Sequence, residues 1–230
     1  MKFLVISDLH GNIPVLEKLT DEFNAADAVL FAGDFAQFDH TETGLPSLKA
    51  LCKMHETIFA VIGNCDEPAF LSEIEEKDIS VEKTLVFHNG LYFAGSGGAS
   101  KFTGSTPNER TEEELLSDFS IVANTKDGAD EDGHWRNLIL ISHNPPKDTK
   151  CDAVNAELHA GSQQLRSFIE AVSPLAVITG HIHEAAAIDK INNSVIINPG
   201  ALLDGRYAVM EVEKVGDAWS VAKAELRSVG

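Results

Sequence analysis

Short, uninterrupted apolar runs recur along the chain: Lys2 to Ile6, Ala28 to Ala32, Ile58 to Ile62, Leu138 to Ile141, Leu175 to Ile178 and Val195 to Ile197. A half-buried strand alternates apolar and polar residues; runs without alternation are strands covered on both faces. Such strands need flanking layers, and amphipathic segments lie between them. Residues 13–23 carry Ile13, Leu16, Leu19 and Phe23 on one side, with Pro14 in a first turn that Asn12 is placed to cap. The same periodicity predicts helices over 45–55, over 67–77 behind a capping Asp66, over 111–123 behind a Thr111/Glu114 capping box, and over 157–172.

Two stretches alternate instead. Residues 84–95 and 206–226 carry turn signals at Asn89-Gly90 and Gly216-Asp217 and are expected to be hairpins. Early strand–helix alternation with hairpins in the middle and at the end makes this an α/β protein with a mixed sheet. No change of composition divides the chain, so residues 1–230 are expected to form a single domain. Segments 96–110 and 124–136 lack apolar periodicity and are expected to be surface loops. In the second, Asp130, Asp132 and Gly133 do not fall in the register of a calcium-binding helix–loop–helix.

Charge narrows the partners. Against 18 Lys and Arg stand 36 Asp and Glu, a formal net charge of −18, and no basic stripe is present to neutralise a run of phosphates. Extended nucleic acid is therefore not expected as a partner. The first apolar run is broken by Ser7 and Asp8, too early for a signal-peptide core or a membrane span, and Cys52, Cys65 and Cys151 have no CxxC spacing. A cytoplasmic location without a membrane partner is the expectation. No feature of the sequence bears on oligomeric state.

Polar residues follow the runs: Ser7-Asp8-Leu9-His10, Gly33-Asp34, Gly63-Asn64-Cys65-Asp66, Ser142-His143-Asn144 and Gly180-His181-Ile182-His183. One polar residue after a strand usually caps a helix or faces water. Five such blocks at carboxyl ends of strands lie where loops of an open α/β sheet converge on a ligand. Asp8, His10, Asp34, Asn64, His143, His181 and His183 offer oxygen and imidazole donors suited to Mn, Fe or Zn. They exceed the needs of one tetrahedral ion and suffice for two if one carboxylate bridges, an arrangement suited to phosphoryl transfer to water.

The blocks D-x-H, GD, GN-[H/C]-[D/E], a histidine after a strand, and GHxH, in this order over residues 8 to 183, resemble those of the calcineurin-like metallophosphoesterases. The resemblance implies a four-layer α/β/β/α sandwich of two mixed sheets. It implies two divalent ions, with manganese favoured over Fe, Zn, Ni or Mg. One would be held by Asp8, His10, Asp34 and His183, the other by Asp34, Asn64, His143 and His181. Asp34, Asn64, His143 and His181 would carry catalysis on a small phosphoester, whose phosphorus is attacked by metal-bound hydroxide.

Many family members have histidine where this chain has Cys65, placed to protonate the leaving group. A thiol is a poorer acid than imidazole near neutrality. The GNCD form resembles a subgroup associated with phosphodiesterase activity, so a diester is expected, and Cys65 reads as a small buried filler rather than a nucleophile. The alternatives are a phosphomonoesterase or protein phosphatase, and a non-catalytic protein-binding scaffold of the same fold. His40 and the loop residues Lys101, Asn108 and Arg110 are further candidates to approach the site.

Overall fold

Each apolar run forms a strand. The computed structural model describes residues 1–102, 104–125, 128–155 and 157–229. Its first half comprises β1 (Lys2–Ile6), α1 (Pro14–Lys18), α2 (Thr20–Ala25), β2 (Ala28–Phe31), α3 (Gly44–Met54), β3 (Ile58–Ala60), α4 (Leu71–Glu76), β4 (Val86–His88) and β5 (Leu91–Ser96). It continues through β6 (Ala99–Ser100), β7 (Glu109–Arg110), α5 (Glu112–Ser117), α6 (Ser120–Asn124), β8 (Leu138–Ser142), α7 (Gln163–Val172) and β9 (Ala176–Ile178). The hairpins β10 (Ala187–Ile191) with β11 (Ser194–Asn198), and β12 (Arg206–Val215) with β13 (Ala218–Ser228), complete it.

One sheet has the order β13-β12-β1-β2-β3 and the other β10-β11-β9-β8-β5-β4. Both are mixed: β1, β2 and β3 run parallel, as do β5, β8, β9 and β11, and antiparallel hairpin strands flank them. Alternate residues of a run enter different layers. Phe3 and Val5 of β1 meet Ile139 and Ile141 of β8 between the sheets, whereas Leu4 and Ile6 pack under Leu16, Phe23 and Leu48 of the helices. Leu138 and Leu140 face Leu165 and Ile169 of α7 on the far side. This is the four-layer sandwich, and it explains why the runs do not alternate. The Phe59 and Phe93 rings stack between the sheets with centroids 3.9 Å apart, a contact worth about 1 kcal/mol beyond the area buried.

Several helices are shorter than periodicity predicts. The 13–23 helix is broken at Leu19, where the Thr20 hydroxyl donates back to the Glu17 carbonyl. The 67–77 helix begins as a 3-10 turn over Pro68–Phe70. The Thr111 capping box forms, but the helix divides at Asp118, whose carboxylate is drawn inward by Arg110 and Ser96. The 157–172 helix starts only at Gln163, capped by Ser162. Upstream, the buried Asp152 carboxylate instead collects the N–H groups of Asp148, Thr149 and Gly161 and the His159 ring. Loop 96–110 contains the parallel pair β6–β7 and is clasped by Glu109, which accepts from the N–H groups of Phe102, Gly104, Ser105 and Thr106. Thr103 of that loop, Lys126 and Asp127 of the other, and Ala156 lie outside the described residues. In residues 124–136, Asp130 closes a turn by accepting from the Asp132 and His134 N–H groups. Both expected hairpins form, the first turning through Asn89 and Gly90 at φ 51° and 88°.

Candidate metal centre

Parallel strands deliver the polar blocks to one edge. Asp8 and His10 leave β1, Asp34 leaves β2, Asn64 leaves β3, His143 follows β8, and His181 and His183 follow β9. Backbone bonds lock the turns together: Asp8 N–H donates to Gly33, His10 N–H to Asp34, and Gly180 N–H to His143. Asp8, His10, Asp34 and His181 all have positive φ, between 45° and 67°. Backbone in that region costs energy that surrounding bonds must offset, and it concentrates at functional sites.

Asp34 is central. Its Oδ1 accepts from the Cys65 N–H at 2.8 Å, while Oδ2 lies 3.6 Å from His10 Nε2 and 3.5 Å from His143 Nε2. Around it, His183 Nε2 is 3.2 Å from His10 Nε2 and 3.3 Å from Asp8 Oδ1, and the Asn64 Oδ1 is 2.8 Å from His143 Nε2. The His181 ring lies 5.2 Å from that of His143, and its backbone N–H donates to both Asp8 oxygens at 3.2 Å. All seven residues thus come together. Gly180 contributes by its lack of a side chain rather than by a special turn, because a Cβ there would lie 2.7 Å from Asp8 Oδ2.

These residues fit divalent ions. His10 Nδ1 faces the Ala36 carbonyl at 2.9 Å and His143 Nδ1 faces the Ala32 carbonyl at 2.6 Å. Carbonyls only accept, so each Nδ1 carries a proton and each ring turns Nε2, the atom that would ligate an ion, inward. His10 Nε2 therefore faces the His183 nitrogen beside two carboxylates, and His143 Nε2 faces the Asn64 oxygen. Imidazole nitrogens, carboxylates and an amide oxygen gathered within one buried cluster make a donor set suited to divalent cations. Burial alone would raise the Asp8 carboxyl, yet the His183 hydrogen bond and the His143, His183 and His10 charges hold it well below the usual carboxylate range. Burial pulls His181 down to about 4, so that ring is neutral and available as a ligand.

Asp66 is not a helix cap. Its buried carboxylate accepts from Gly63 N–H at 2.8 Å, Ala36 N–H at 2.8 Å and Phe35 N–H at 3.2 Å, joining the Asp34 turn to the Asn64 turn. Burial and the Asp34 charge push it up to about 6. Asn12 does not cap either; its amide donates to the Leu203 carbonyl. Cys65 is buried, and burial together with the charge of Asp34 pushes its thiol far up, so it stays protonated near neutrality. Its sulfur comes near donor atoms of His10 and Asp34, the position of a small buried residue beside the cluster.

His40 is exposed beside Glu42 and stays outside the site. Asn108 supports the site from behind, donating from its backbone to the Asn64 carbonyl and from its amide to the Gly63 carbonyl. Arg110 points away, onto Asp118. A cavity of about 660 Å³ opens over the cluster, reaching His10, Asp34, Asn64, His181 and His183. Phe38 and Leu203 line its mouth; sequence reading passed over both, and no motif marks them.

The family model of the calcineurin-like phosphoesterases matches residues 1–185. An uncharacterized protein of Methanocaldococcus jannaschii is 32% identical over 206 residues, 86% of this chain and 88% of its own length. Among solved structures, the TT1561 protein of Thermus thermophilus superposes with a TM-score of 0.73 at 18% identity, covering 100% of this chain and 99% of its own. The calcineurin-like phosphoesterase YfkN of Bacillus subtilis gives 0.56 at 14% identity, covering 100% and 90%. At these identities the superpositions speak for the fold.

Proposed function

The chain belongs to the calcineurin-like phosphoesterases, metal-dependent enzymes, and from that premise we propose that it is a dinuclear phosphodiesterase acting on a small phosphoester. The observation carrying this reading is the Asp34 carboxylate, with Oδ2 between His10 Nε2 and His143 Nε2 and each histidine backed by a carbonyl. Asp8, His10, Asp34 and His183 would hold one ion, and Asp34, Asn64, His143 and His181 would hold the other. Manganese is the favoured metal by resemblance to the family, and the mixed set of imidazoles, carboxylates and an amide oxygen is compatible with it. Bound divalent ions activate water and offset charge on the phosphoryl oxygens.

The chain's own groups set the rest. Carbonyls of Ala32 and Ala36 hold two imidazoles in the tautomer that leaves Nε2 free, and the His181 N–H fixes the Asp8 carboxylate. With the Cys65 thiol held protonated and a weak acid, the leaving group departs without a proton from that position, which favours diesters with good leaving groups. The test is hydrolysis of bis-p-nitrophenyl phosphate and p-nitrophenyl phosphate by chelator-stripped protein, with and without manganese. Metal-dependent turnover that is faster on the diester is expected. A monoester preference, or no turnover of either, contradicts the reading.

A further inference from the structure

We propose that the substrate is a singly charged phosphodiester bearing a flat apolar substituent, and that Phe38 and Leu203 form the wall against which this substituent lies. The proposal rests on the phosphoesterase reading above and narrows it. Phe38 and Leu203 are 48% and 41% exposed, large apolar side chains set at the mouth of the cavity that opens on the His and Asp cluster. Isolated exposed apolar residues are common on protein surfaces. These two share one cavity, and both are held in place by hydrogen bonds to the segments that carry the site.

Phe38 occupies the second position of a turn closed by the His40 N–H on the Gln37 carbonyl at 2.9 Å, with Asp39 at φ 59° in third position. That turn is pinned by Gln37 N–H on the Thr43 hydroxyl at 2.8 Å and, just upstream, by Phe35 and Ala36 N–H groups on Asp66. Leu203 lies in a 3-10 turn whose N–H groups donate to the backbone of β1's end: Leu202 to Ser7 at 2.8 Å and Leu203 to Asp8 at 2.9 Å. The Asn12 amide then takes the Leu203 carbonyl at 2.9 Å. The backbone beneath the wall is thus tied to Asp8 and Asp66, so an aromatic substituent resting on it needs little further ordering of the main chain.

Charge selects the other half of the substrate. Among the described residues the cavity's lining beyond the His and Asp cluster is uncharged, with Gln37, Asn12 and Thr106, and contains no lysine or arginine. Arg206 donates to the His183 carbonyl at 3.3 Å and is not part of the lining. Among the described lining residues no lysine or arginine therefore waits to neutralise a second phosphate or the extra charge of a monoester, in a protein whose net charge is −18. A flat apolar group has a ring face to meet, and aromatic stacking of this kind tolerates many ring types, nucleobases included.

Two comparisons test this. Methyl p-nitrophenyl phosphate and phenyl p-nitrophenyl phosphate carry the same leaving group and the same charge, so their ratio of kcat/KM reads the non-leaving substituent. The ratio is expected to favour phenyl by about tenfold or more, chiefly through KM, to collapse toward unity in Phe38→Ala and, in part, Leu203→Ala, and to survive in Phe38→Trp. Binding of diphenylphosphinate against dimethylphosphinate to manganese-loaded protein, followed calorimetrically, should show the same preference and the same loss in Phe38→Ala. Hydrolysis of both diesters with no phenyl preference, or a preference unmoved in Phe38→Ala, overturns the wall while leaving the phosphodiesterase reading intact. Phe38-dependent binding of diphenylphosphinate by a protein that hydrolyses neither diester supports the wall and removes the catalytic reading instead.

Discussion

Two clusters of charged side chains lie close to Asn108, and they are built on opposite principles. Behind the site, Arg110 forms a fork on Asp118 at 2.6 and 2.9 Å and donates to the carbonyls of Gly97 and Glu114, while Ser96 completes Asp118. There each donor meets an acceptor. In front, His10, His143, His183, Asp8, Asp34 and the Asn64 oxygen bring potential metal-ligand atoms together around one point. A guanidinium fork on a carboxylate is a structural tie, whereas four imidazoles and two carboxylates gathered at one strand edge read as a place for cations.

The comparison breaks most easily at Asp34. Asp34→Asn keeps an acceptor for the Cys65 N–H but removes the shared charge. It should cost on the order of 10³-fold in kcat/KM on a diester while changing the urea stability of metal-stripped protein by less than about 1 kcal/mol. Arg110→Met should do the reverse. Stripping Asp118 of its partner is expected to cost about 3 kcal/mol in urea unfolding, with kcat of the folded fraction within about twofold of wild type. A catalytic collapse in Arg110→Met without loss of stability would erase the distinction between the clusters.

Asp66 belongs to the front cluster, but its carboxylate is bonded to backbone N–H groups rather than to the histidines. Asp66→Asn places an amide against backbone donors and should weaken manganese binding by about 10- to 100-fold, as read by titration, because the Asp34 and Asn64 turns lose their common tie. Cys65→His should leave metal content unchanged and raise monoester hydrolysis by about tenfold, imidazole supplying the acid that the thiol does not. Loss of all activity in that variant would show that Cys65 does more than fill space.

The smallest effect sharpens the rear region. Burial, with Asp118 nearby, pushes Glu82 up to about 7 from an ordinary value of 4.5. The folded state therefore holds that proton more tightly than the unfolded chain. Its contribution to stability is full below pH 4.5 and is lost as pH rises through 7, about 1 kcal/mol of it between pH 6 and pH 8. Glu82→Gln keeps an acceptor for the Ile62 N–H and should flatten that slope in urea unfolding followed across pH. An unchanged slope would place the titration elsewhere.

The front cluster was legible from sequence because its donors directly follow strands buried on both faces, so each announces itself as a polar residue ending an apolar run. The same logic made the four layers readable. What escaped notice depends on partners without sequence identity. Asp66 looks like a cap because it precedes a helix, yet its partners are backbone N–H groups, two of them about thirty residues upstream in the chain. The helix expected from 157 loses its first turn to Asp152, which gathers backbone groups over the preceding loop. Strand β10 was missed because it is only half-buried and interrupted by Asp189 and Lys190. Phe38 and Leu203 are exposed apolar residues on turns, a pattern sequence alone does not separate from ordinary surface.

The most direct test is a count. Chelator-stripped protein is titrated with manganese to saturation, with free ion followed by electron paramagnetic resonance, in wild type and in Asn64→Ala. Two ions per wild-type chain, falling to one at the same manganese concentration in Asn64→Ala, is the predicted result. One ion per wild-type chain at saturation, or two retained with unchanged affinity in Asn64→Ala, would contradict a dinuclear centre built on Asp34.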